Sequence, residues 1–570
     1  MVSFCITHSR YSGHLQSVQR WFQHILTTAI AVMSLISLTA CGGVKASSPA
    51  SAANAEDINV GTTDKVVSLD PAGAFEWGSN ALAYQMYPTL FTQRYNDKTL
   101  SPSIASDNGS WNADGTQFTV HLKPNLRFAN GHELTASDVK FSIDRVIGID
   151  SPNGPISLFQ NITGVDAPAS DTVTFKVSVP HDVTLKRVLG TAGASIVDDQ
   201  SFPADHLAND QEVVRSNGFA GAYRLTQYVQ NDHAVFERNS VYAGLNAAQN
   251  HQVTVTYFAD SSNLKLAVQQ GQVDVAYRSL LPADITSLRK DGNVRVIIGA
   301  GGEMRYLVFN FHTQPYGSAR KDADPTKAVA VRRAVADLVD RKALSDNVYH
   351  GTFAPLYAFY ASNQPGSEPT LRSAYGDGKG GPSVNKARQV LTEDGVTTPI
   401  DLNIEYNTDH YGASSTDEYA AIASQLEEGG LFRVTVQQAQ WSQYSKERVV
   451  RDGSDDRQDG SYPAYQLGWF PDYSDPANYL VSFFGPESYV SNGYSNTQIH
   501  ELLDRQAGQL EESQRLETLR DIQRLATDDV SILPLLQGSQ VAVTGRNVHG
   551  IVLDSSYVLR FSSITKGGGN

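Results

Sequence analysis

The sequence predicts an α/β protein of mixed sheets with covering helices, built in more than one lobe, and three observations predict it. The chain has 570 residues, about twice what a single hydrophobic core organises. Strand-like and helix-like hydrophobic patterns alternate along it without an obvious repeat. Hydrophobic residues make up 41% and charged residues 18%, with 9% aromatic, which is enough apolar surface for sizeable cores.

The elements follow in chain order. In QFTVHLK, Phe118, Val120 and Leu122 alternate with polar residues, as in a strand with one buried face. After the turn signal Asn130-Gly131, Thr135 and Asp138 form a capping-box-like start, and Val139, Ile143, Val146 and Ile147 recur at helical spacing. VTVTYF (253–258) reads as a strand, SSNLKLAVQQG as a helix ended by Gly271, and QVDVAY as a second strand, together a βαβ unit. Asp324 is the expected N-cap of the next long helix, with Pro325 in its first turn and Val331, Val335 and Leu338 as its buried stripe. Residues 496–507 and 513–529 read as a helical pair, and the strand-like ILPLL and VAVTG close the pattern. YGDGKGGPS (375–383) and RDGSDDRQDGS (451–461) read as loops, and the first lacks the G-x-x-x-x-G-K-[ST] pattern of a phosphate loop.

The N-terminal segment points outside the cytoplasm. Arg10 and Arg20 precede ILTTAIAVMSLISLTA (25–40), an uncharged run of 16 residues that is short of the ~20 needed to span a bilayer and suits a signal h-region. Leu38-Thr39-Ala40-Cys41 resembles a bacterial lipobox, so residues 1–40 are expected to be a cleaved lipoprotein signal and Cys41 to carry the lipid anchor. The Ser/Ala-rich stretch that follows makes 41–57 a flexible tether. Cysteine occurs only at positions 5 and 41, which leaves the body of the chain no disulfide and no cysteine metal site. Removal of residues 1–40 takes the formal net charge from −15 to −17, an acidic balance that argues against nucleic acid as a partner. H-E-x-x-H, G-x-S-x-G and Cys-x-x-Cys are absent and the 14 histidines are scattered. An exported, tethered, multi-lobed chain without catalytic signatures reads as a binder, with no metal or cofactor expected.

GWFPDYSDPANYL (468–480) sets two aspartates among aromatic rings. Asp475 precedes Pro476 and a helical-looking run, the position of an N-cap. Asp472 has no such local task.

Several stretches then carry a family resemblance. SLDPAGAFEWGSNALAYQMYPTLF (68–91) and LSPSIASDNGSWNADGTQFTVHLKPNLRFANGHELTASDVKFSIDRV (100–146) resemble the N-terminal part of the extracellular solute-binding proteins of ABC importers, family 5, the oligopeptide, dipeptide and nickel-binding type. NGFAGAYRLTQY (217–228), GQVDVAY, VRRAVADLVDRKAL (331–344) and GWFPDYSDP extend the likeness over most of the chain from about residue 58. The resemblance implies a periplasmic-binding-protein-like two-lobe clamp of type II, in the large cluster with an extra domain, in which hinge closure is a population shift toward a state where both lobes touch the ligand. By analogy lobe I comprises 58–95 with 214–308 and 534–570, the extra domain 96–213 and lobe II 309–533. It also implies a peptide ligand, a membrane permease with a separate ATPase, a monomer anchored through Cys41 on the outer face of the cytoplasmic membrane, and no enzymatic role.

In the peptide-binding branch the positions matching Asp472, Trp469 and Trp441 line the cavity, and the aspartate pairs with the peptide's α-ammonium while the extended backbone bonds to nearby main chain. Glu76 and Trp77 fall in the loop that faces the ligand in the family, Tyr277 and Arg278 follow the strand that meets the peptide, and Phe470 and Tyr473 flank the anchor. The chain departs from the best-known peptide binders in having no arginine in YPAYQLGWF before Trp469. The same fold also carries oligosaccharides and metal chelates, and an exported hydrolase or a sensor ectodomain is the reading from another class.

Overall fold

The computed structural model describes residues 57–97, 99–278, 280–451 and 457–567. The signal segment, Cys41 and the tether up to residue 56 lie outside the described residues, as do residues 452–456 of the second predicted loop. No described helix is long and apolar enough to cross a membrane.

Three larger sheets organise the chain. The first has seven strands in the order Val294–Gly299, Gln540–Gly545, Val275–Tyr277, Asp57–Thr62, Gln252–Tyr257, His233–Arg238 and Tyr223–Val229. The predicted βαβ unit lies at its centre, and Asp57–Thr62 runs parallel to both of its strands and between them. The crossover helix Ser261–Gln269 is capped by the Asp260 carboxylate, which accepts from the Asn263 N–H, and buries Leu264, Ala267 and Val268. Gly271, at φ +70°, turns the chain out of this helix.

The second sheet has six strands in the order Phe353–Pro355, Ile532–Gly538, Met304–Phe309, Ala464–Trp469, Ile400–Tyr406 and Phe432–Gln438. Met304–Phe309 and Ile532–Gly538 are buried at every residue, as expected of strands covered on both faces. Met304–Phe309 and the ILPLL strand therefore belong to this sheet: the chain leaves the seven-stranded one at Gly299 and returns at Gln540, where the resemblance implies 308 and 534.

The third sheet is antiparallel, with Ser110–Trp111, Gln117–His121, Thr172–Val177 and Ile162–Ala169 in that order. Helix Ala136–Ile149 covers it from behind the predicted capping box, in which Thr135 and Asp138 exchange side-chain and backbone hydrogen bonds. The Arg145 guanidinium on that helix donates to both oxygens of Asp70, at 2.6 Å each, with both groups buried. This fork ties the LDP stretch after the first strand to the third sheet.

Two short crossings join the first two sheets, residues 300–303 outward and Ser539 back. They run so close that a Cβ on Gly301 would lie 1.7 Å from the Gly538 carbonyl oxygen. Only glycine permits that approach.

Candidate functional site

Two cavities flank the segment that follows strand Ala464–Trp469. The larger, of about 560 Å³, is lined by Trp77, Tyr277 and Arg278 on one side and by Glu303, Arg305, His410, Tyr411, Phe470 and Pro471 on the other. The smaller, of about 100 Å³, is lined by Asp472 and Tyr473 together with Tyr84, Arg187, Tyr242 and Arg560. The structure thus divides the sequence-predicted residues between two spaces and leaves Glu76, Trp441 and Trp469 lining neither.

Asp472 follows the strand Ala464–Trp469 and is held by one residue. Its carboxylate accepts from the Asn478 side-chain amide at 3.0 Å, and its own N–H donates to the Asn478 carbonyl oxygen at 3.0 Å. That same oxygen accepts the indole N–H of Trp469 at 3.0 Å. Trp469 therefore steadies Asn478, which orients Asp472, and its ring packs against Tyr489 with centroids 5.4 Å apart. No ion pair to Asp472 forms among the described residues. The two arginines that share its cavity are engaged elsewhere, Arg187 by Asp475 at 2.9 Å and Arg560 by Asp554 at 2.6 Å. Burial among protein atoms pushes the Asp472 carboxyl above the usual aspartate value, and the Asn478 amide only partly opposes this.

Asp475 is the predicted N-cap, accepting from the Ala477 N–H at 2.9 Å at the head of helix Pro476–Phe484. It does more than cap. Fully buried, it also receives two N–H groups of Arg515, at 3.0 and 2.6 Å, and the Arg187 Nε at 2.9 Å. Burial alone would raise its pKa, but Arg515 and Arg187 outweigh it and bring the group below the usual value.

Around the larger cavity, Arg278 lies over the faces of Trp77 and Phe470, 4.7 and 5.4 Å from their centroids, and these two rings meet edge-on at 5.5 Å. Arg278 also reaches Asp64 at 3.5 Å, so this cation is already stacked and paired. Glu76 differs from the expectation of a ligand-facing acid: it caps helix Trp77–Met86, accepting from the Ser79 N–H at 2.7 Å. Trp441 stands behind the wall, stacked on His410 at 3.9 Å, and it is His410 that reaches the cavity. Tyr277 donates its hydroxyl to Gln540 at 3.1 Å.

Sequence reasoning missed Arg305 and Glu303. Arg305 interrupts the buried strand MRYLVF, and its guanidinium sits 2.7 Å from Glu303, donates to the Tyr411 carbonyl at 2.9 Å and faces the Tyr411 ring at 4.9 Å. Its Nε and Nη1 find no protein partner. Burial opposes its charge, yet Glu303, Tyr349 and Glu418 more than offset that and move its pKa up. Burial conversely lifts Glu418 behind it to about 7. A lone arginine in an otherwise apolar strand was the available signal.

Residues 99–490, more than half of the chain, match the family described as "Bacterial extracellular solute-binding proteins, family 5 Middle". The chain is 24% identical over 498 residues to the probable D,D-dipeptide-binding periplasmic protein DdpA of Escherichia coli, covering 85% of this chain and 89% of that one. It is 21% identical over 563 residues to the oligopeptide-binding protein OppA of Bacillus subtilis, covering 94% and 97%. Among solved structures, HbpA2 from Haemophilus parasuis superposes with a TM-score of 0.74 at 17% identity, over 90% of this chain and 100% of that one. With the signature stretches, the two-lobe clamp and the family match in agreement, this chain belongs to the bacterial extracellular solute-binding proteins of family 5.

Proposed function

We propose that this chain is the substrate-binding component of an ABC importer, capturing oligopeptides between two closing lobes and delivering them to a membrane permease served by a separate ATPase. One observation carries the peptide reading: Asp472 is a half-buried carboxylate with an amide partner and no cation among the described residues, and it opens onto a cavity. Such a group is costly until a compact cation with several donors reaches it, and an α-ammonium is that cation. The relatives named as dipeptide-binding and oligopeptide-binding support the ligand class.

In this reading lobe I comprises 58–95, 214–299 and the C-terminal return from Gln540, the extra domain 96–213, and lobe II the six-stranded sheet with its helices. The adjacent crossings at 300–303 and Ser539 serve as the hinge. Trp77, Tyr277, Arg278 and Phe470 line the path beyond the anchor, Tyr473 flanks Asp472, and Trp469 and Trp441 act by holding Asn478 and His410. Cys41 tethers the monomer to the outer face of the membrane. Native mass spectrometry of the purified soluble domain tests the ligand class: short peptides copurifying at one per chain are expected, and an oligosaccharide or a metal chelate in their place would overturn it.

A further inference from the structure

The two cavities share a wall two segments thick. From one side Phe470 and Pro471 face the larger cavity while Asp472, Tyr473 and Ser474 face the smaller. From the other side Tyr557 faces the larger while Ser556 and Val558 face the smaller. Tyr557 and Pro471 both pack on Gly302, where an added Cβ would lie 2.5 Å from the tyrosine Cζ and 2.7 Å from the proline Cγ. One buried amide clamps the segments together, for the Gln364 Nε2 donates to the Tyr557 hydroxyl and to the Ser474 hydroxyl, each at 2.8 Å. Tyr557 is 5% exposed and adopts φ +59°, a left-handed conformation that is unfavourable for a bulky residue and persists only where the surroundings impose it. Its neighbours are fixed as well, since Asp554 accepts from the Ser556 N–H at 3.1 Å and pairs with Arg560 at 2.6 Å.

The anchor and the space for a ligand therefore lie on opposite sides of this wall. The smaller cavity, of about 100 Å³, is under a fifth of the larger. Most of the space for a chain of residues, about 560 Å³, therefore lies beyond Tyr557. We propose that Tyr557 is a gate that sets ligand length: a peptide whose ammonium reaches Asp472 extends into the larger cavity only when the Tyr557 ring leaves the wall. The proposal rests on the peptide reading of the site. It assigns length selection to a residue far along the chain from the anchor it serves.

The test is a calorimetric titration of the wild type and of Tyr557→Gly with free-ended alanine peptides of two to six residues. Glycine adopts φ +59° without strain, so the variant retains the loop conformation. Tyr557→Gly is expected to bind the longest peptides about tenfold or more tighter than the wild type while dialanine changes by less than about threefold, a tenfold change being about 1.4 kcal/mol. Gln364→Ala, which keeps the ring but removes its clamp, is expected to shift the profile the same way by a smaller factor, and it carries the test if the glycine variant does not fold. Tyr557→Phe, which keeps the ring, retains preference for the shorter members. Identical length profiles in wild type, Tyr557→Gly and Gln364→Ala would overturn the gate and leave the peptide reading standing. No binding of any peptide by any of these proteins would overturn both.

Discussion

Asp472 and Asp475 leave the same strand three residues apart, Asp475 fully buried and Asp472 half-buried at a cavity. Asp475 is bound on every side: the Ala477 N–H caps against it, two N–H groups of Arg515 fork onto it, and Arg187 reaches it at 2.9 Å from the short helix Leu185–Val188. Asp472 has only the Asn478 amide and an opening. The difference separates two uses of one side chain. Where the fold supplies the cations, the carboxylate is structural and its pKa is held down; where the fold withholds them, the pKa rises and a guest must bring the charge.

The largest break in this comparison comes from Asp475→Ala. Removing one partner of a buried ion pair leaves uncompensated charge and costs about 3–5 kcal/mol, here compounded by the lost cap, so denaturant unfolding is expected to show a strongly lowered midpoint. Asp472→Asn in the same assay is expected to lower nothing. Its effect falls on the ligand instead, because removing one member of a buried charge pair costs about 2–5 kcal/mol, which calorimetry reads as roughly 30-fold or more weaker binding of free-ended peptides.

Asn478→Ala sharpens the comparison from behind. It removes three hydrogen bonds, leaving the Trp469 indole and the Asp472 N–H without the acceptor they share, at about 1–3 kcal/mol for buried groups left unpaired. Peptide affinity is expected to fall together with the midpoint, unlike Asp472→Asn.

Opposite pH dependences give the smallest effect. The folded-state pKa of Asp475 is depressed, so its contribution to stability is present above the unfolded value of about 3.9 and is lost as pH falls through the folded one. That of Asp472 is raised, so the ligand-free protein loses stability as pH rises through it. Thermal melts of wild type and Asp472→Asn are expected to coincide near pH 4 and to separate at pH 7, the variant being the more stable.

Much of the fold was readable because the signals are local. The Thr135–Asp138 capping box, the Asp324 cap with Pro325 after it and the βαβ helix ended by Gly271 are each decided within a few residues by hydrogen-bond geometry and periodicity. The Asp475 cap was readable for the same reason, but the arginines that complete it come from residues 187 and 515. The cavities are the opposite case. Gln364 meets Tyr557 across 193 positions, and which face of a loop reaches the space is decided by how two sheets pack. Glu76 shows this within one residue: the resemblance implies a loop facing the ligand, while the helix start at Trp77 draws its carboxylate onto the Ser79 N–H. Trp441 has the aromatic surface a cavity wall uses, yet His410 stacks on it and takes its place at the surface.

The most direct test of Asp472 as the waiting charge is a paired calorimetric titration of the wild type with trialanine and with N-acetyl-trialanine, which differ only in the ammonium. About 30-fold or more weaker binding of the acetylated peptide is expected, the equivalent of about 2 kcal/mol or more, with the gap closing as pH falls through the raised Asp472 pKa and the carboxylate takes up its proton. Equal affinities for the two peptides at neutral pH would contradict the account.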